Sequence, residues 1–190
     1  MSTLAETISS ALRAVGPATE DRLRDIVADF DSLNLTDEER LAAIATTVAA
    51  TARTHHGRHP AVYLDAVRTW SLEIAQELKS APLRFRFPAD VERIAEAADI
   101  LTNGVDSLIE LMAALGARTQ DRLVTELALV AQLLGQADAG TIQVTLGAID
   151  RALASKSFQS GAIVMVPLRR GAGLIDRSAN LELLQPRGSA

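Results

Sequence analysis

The chain has 190 residues, a net charge of −5, 48% hydrophobic residues, 3% aromatics and no cysteine. That length suits one domain of roughly 150 residues plus an appendage. The apolar content excludes disorder as the main state, and the missing cysteine excludes disulfides, thiolate metal sites and cysteine nucleophiles. With few aromatics, the core must come from Ala, Leu, Val and Ile. Ala and Leu are the strongest helix formers of these, so the composition favours an all-α body.

Thr3 and Glu6 form a capping-box pattern that opens a helix to about Val15, where Gly16-Pro17 ends it. Thr19 reads as the cap of a second helix through Leu33, with Leu23, Ile26, Val27 and Phe30 as its apolar stripe. Thr36-Asp37-Glu38-Glu39 is the clearest capping box and starts a third helix to about Arg53. A polar loop, Thr54–His59, precedes Pro60, which suits the first turn of a fourth helix to about Lys79.

Ser80–Pro88 alternates Leu83, Phe85 and Phe87 with Arg84 and Arg86, and prolines flank it. The pattern predicts an extended connector pinned by its aromatic side chains. A fifth helix is expected from Pro88, with Asn103-Gly104 as a stop or a sharp kink and a sixth helix over Val105–Leu115. Thr119–Gly135 then turns apolar on almost every side through Leu123, Val124, Leu127, Leu129, Val130, Leu133 and Leu134. A helix of that kind is a buried central one. It is too short for a bilayer span, and no other run reaches that length. An eighth helix covers about Thr141–Ala154.

After Ser155 the character changes. Ala162–Val166 is rich in β-branched residues and lies between Gly161 and Pro167, which predicts a strand, with one hairpin at most around it. The expected architecture is a bundle of seven to eight helices over residues 1–155, carrying an extended arm over 156–190. The charge divides at the same place. Residues 1–155 hold 14 basic and 22 acidic side chains, a balance of −8, whereas residues 156–190 hold five basic and two acidic, a balance of +3.

The chain also echoes itself at an offset of 100 residues. Ala14-Val15-Gly16 answers Ala114-Leu115-Gly116, and Thr19-Glu20-Asp21-Arg22-Leu23 answers Thr119-Gln120-Asp121-Arg122-Leu123. An internal duplication would produce this. The recurrence of helix stops and caps for local reasons is the simpler expectation.

Candidate chemistry is sparse. His55, His56 and His59 are the only histidines. Two of them would share a face if helical, as metal-binding pairs do, but Gly57 and Pro60 predict a loop, and no HExxH or ExxH pattern accompanies them. Gly171-Ala172-Gly173 after the Ile163–Val166 run lacks the third glycine and the length of a dinucleotide-binding unit. Arg84-Phe85-Arg86-Phe87 interleaves bases and aromatics as single-strand binders do, yet the acidic body around it repels phosphate. No catalytic residue, metal ligand or cofactor-binding residue is assigned, and nucleic acid is not an expected partner.

The expected function is therefore non-enzymatic: a structural or interaction protein that joins a larger, repeating assembly through its arm, such as a component of a viral or phage-like particle. Ile163, Val164 and Val166 would pair with an edge on a neighbour. Arg169, Arg170 and Arg177 would meet acidic faces of another copy or subunit, with Asp21, Asp25, Asp29, Asp37, Glu38 and Glu39 as acceptors. The N-terminal stretch lacks the basic and apolar regions of a secretory signal, so a cytoplasmic or in-particle location is expected. The alternative is a small-molecule- or metal-binding helical module or enzyme with its site near His55–His59.

Overall fold

Helix starts are set by local chemistry, and most were legible in the sequence. A computed structural model describes residues 3–81, 90–155 and 162–166. Among these it holds seven helices: α1 (Leu4–Val15), α2 (Pro17–Ser32), α3 (Asp37–Thr54), α4 (Pro60–Glu77), α5 (Val91–Ala114), α6 (Thr119–Leu134) and α7 (Ala139–Ala154). Both capping boxes form. The Thr3 and Thr36 hydroxyls accept from the amides of Glu6 and Glu39, whose carboxylates accept the Thr amides in return. Asp90 and Asp138 cap α5 and α7 by accepting from the next backbone amides.

Two expectations are corrected. Thr19 is not a cap: α2 begins at Pro17, and the buried Thr19 hydroxyl donates to the Val15 carbonyl at 3.0 Å. Gly16 supplies the break between α1 and α2 with φ +87°, a conformation that side chains rarely adopt. Asn103-Gly104 does not stop a helix either, because α5 runs through it unbroken to Ala114. Gly104 is a packing residue. A Cβ there would lie 3.1 Å from Ile26 of α2, so the missing side chain lets the two helices approach. The merger of two expected helices into one leaves seven rather than eight. Within the expected strand Ala162–Val166, Ile163 forms an isolated bridge and no regular strand is present among the described residues; the rest of the expected arm lies outside them. The Arg84–Phe87 connector lies outside the described residues.

The helices pack crosswise. α1 lies on α6 and α2 on α5, while α1 also meets α2 and α5 meets α6. α3 and α7 pack together, and α4 covers α6 and α7. α3 touches α4, α5, α6 and α7, α6 touches α1, α3, α4 and α5, and every residue of α3 from Leu41 to Ala49 is buried. In α6 the fully enclosed part is Thr125–Ala131, whereas Leu123 is exposed. No described helix is long and apolar enough to cross a membrane.

Candidate functional site

Two places combine backbone or polar groups with burial in a way that local folding does not explain. The first is the seat of residues 162–166. This run has no polar side chain, and a continuous apolar run requires burial on both faces. The structure supplies it. Ala162, Val164 and Val166 join the main core cluster. The alternate residues point to a second cluster, where Ile163 packs with Ala42 of α3 and Ile94 of α5, and Met165 packs against it. Val164 is completely buried.

One polar contact fixes the register of the run. The Val164 amide donates to the Thr46 hydroxyl at 2.9 Å, and that hydroxyl donates to the Ala42 carbonyl at 2.8 Å. A buried amide without this acceptor would carry an unmet desolvation cost of roughly 1–3 kcal/mol. The expectation placed Ile163, Val164 and Val166 against a neighbour. In this structure they lie against their own α3 and α5, because the groove there matches both faces of the run. Arg169, Arg170 and Arg177 lie outside the described residues. The apolar run was visible in the sequence, but Thr46 was missed. A threonine inside a helix usually turns its hydroxyl back to the helix, and nothing in the sequence marks one that also accepts from a distant amide.

The second place is the histidine loop between α3 and α4. Thr54–His59 line an open pocket of about 420 Å³. His55 caps the C-terminal end of α3, and His59 caps the N-terminal end of α4 without a side-chain bond. The histidines do not converge. His55 Nε2 meets Asp106 of α5 at 2.9 Å, and His56 Nε2 meets Glu126 of α6 at 2.9 Å. The His56 ring stacks on Tyr63, with centroids 4.2 Å apart and planes 9° from parallel. Tyr63 is buried, and that burial, followed by the nearby Glu126 charge, pushes its phenol well above the usual range. The phenol is therefore a neutral group at physiological pH.

Chemically, this arrangement fastens a loop. Two carboxylates on two helices each hold one imidazole, and the Tyr63 ring supports the second. Among the described residues no group of three or more His, Cys, Asp or Glu side chains is arranged to hold a metal ion. Sequence reasoning found the histidines but not their partners. Asp106 and Glu126 lie 51 and 70 residues away from them, and no motif links them. No family profile, no curated protein and no solved structure matches this chain.

Proposed function

We propose that the protein is a non-enzymatic interaction protein that joins a larger, repeating assembly through its C-terminal arm, with a virion-like particle component as one concrete version. The observation that carries this reading is the docking of residues 162–166. A non-helical apolar run recognises a groove between α3 and α5 by alternating side chains and one main-chain hydrogen bond. That is how extended peptides recognise folded partners. The arm is basic and the body acidic, which favours contact between arms and bodies.

The 100-residue echo fits the same picture. We read it as a duplication, supported by the crosswise packing of α1 on α6 and α2 on α5. Local cap chemistry explains it less well than the sequence suggested, because Thr19 lies inside α2 while Thr119 opens α6.

The test uses the full chain. Light scattering should give a mass above the 20.2 kDa of one chain. The variant Ile163→Asp/Val166→Asp should fall to one chain with its helical circular dichroism retained. A wild-type chain that stays single at every concentration, or a variant that assembles as before, overturns the reading.

A further inference from the structure

We infer that the groove between α3 and α5 takes residues 162–166 of a second copy, so that copies join by exchanging arms. This rests on the reading of 162–166 as a docking segment and names its partner. The groove is lined by Ala42, Thr46 and Ile94, and its fitted occupant is a piece of this same chain. Another copy therefore presents a ligand of identical shape, alternation and hydrogen-bonding pattern. No new complementarity has to arise, which is why exchange of an identical element is a low-cost route to association.

Two observations favour a second copy over an unrelated partner. An unseated arm would expose Ile163, Val164 and Val166 together with the buried groove, and two such copies satisfy each other completely. The body carries −8 and the arm +3, so the arm of one copy is drawn to the body of another.

The absence of cysteine gives a clean experiment. Ala42→Cys and Ile163→Cys place thiols on two positions of one packed side-chain cluster and leave the Thr46 hydroxyl in place. Two singly substituted chains, one A42C and one I163C with different tags, are co-expressed, mildly oxidised and run without reductant. Exchange yields a disulfide-linked pair carrying both tags at twice the 20.2 kDa chain mass. The double variant A42C/I163C on one chain reports the seat itself, through a thiol loss that reductant reverses. If the double variant closes and the mixed chains do not link, exchange is overturned while the docking reading stands. If neither links, the seat is wrong and both fall.

Discussion

Helices α3 and α6 are both enclosed along most of their length, but they achieve it by opposite means. α6 does so with large aliphatic side chains: Leu127, Leu129, Val130, Leu133 and Leu134 are all buried. α3 does so mainly with small ones: Ala42, Ala43, Ala45, Thr46, Thr47, Ala49, Thr51 and Ala52 are buried, with Leu41, Ile44 and Val48 the only large aliphatic side chains among its buried residues. A large side chain reaches outward to fill space between helices. A small one lets the neighbour's backbone come near. α3 can therefore meet four other helices, as many as α6 meets, and the arm segment while contributing little apolar volume itself. Enclosure and hydrophobicity are different properties, and this bundle separates them.

Substitutions in opposite directions break the two arrangements. Leu129→Ala empties a fully buried position in α6 and should cost about 2–5 kcal/mol, as large-to-small changes in cores do. Ala45→Leu in α3, also fully buried, should cost about 1–3 kcal/mol by overpacking. Urea midpoints at constant m-value measure both. If Ala45→Leu proves neutral, α3 is not closely surrounded and the contrast between the helices is lost.

The same contrast explains what the sequence disclosed. Capping boxes at Thr3 and Thr36 and the proline start at Pro60 are local chemistry, so those helix starts could be read directly, whereas Gly16-Pro17 reads as the end of α1 and not as the start of α2. The run Leu127–Leu134 announced a buried helix because its side chains are large. The enclosure of α3 was not announced, since an Ala- and Thr-rich helix looks like a modest amphipathic one until its neighbours are known. Gly104 misled for a related reason. It serves the approach to Ile26, but glycine near a helix end carries the same letter as a stop. In the candidate sites, the apolar arm run and the three histidines were visible. Thr46, Asp106, Glu126 and Tyr63 gained their roles only from tertiary packing.

The N-terminal end of α3 gives a pH-dependent way to sharpen the comparison. Burial raises the Glu39 carboxyl, but amides from Thr36 and Asp90 and the Arg93 guanidinium at 3.2 Å outweigh it and hold the group below its ordinary value. A depressed carboxyl stabilises the fold above its unfolded pKa, and that stability is lost as pH falls through the folded value. Glu39→Gln keeps an acceptor and removes the charge. It should cost about 1 kcal/mol at neutral pH, the difference between charged and neutral hydrogen bonds. The wild-type and variant midpoints should converge in acid below the Glu39 pKa. A constant gap across the acid range would show that the carboxylate charge is not what ties α3 to the start of α5.

The smallest effect separates spacing from polarity within α3 itself. The Thr47 hydroxyl donates to the Ala98 carbonyl at 3.3 Å and shares a hydrogen bond with Thr102 at 3.1 Å, both on α5. Thr47→Val keeps the shape and deletes the hydroxyl. The Ala98 carbonyl lies inside continuous α5, where helix geometry already gives it an amide donor, and Thr102 is half-buried with solvent within reach. The loss should therefore stay at roughly 0.5–1.5 kcal/mol, the net value of one hydrogen bond. If Thr47→Val costs less than Ala45→Leu, the small residues of α3 matter chiefly because they keep α5 close. If it costs more, the α3–α5 contact is held by its polar bond, and α3 owes its central place to hydrogen bonding rather than to its narrow side chains.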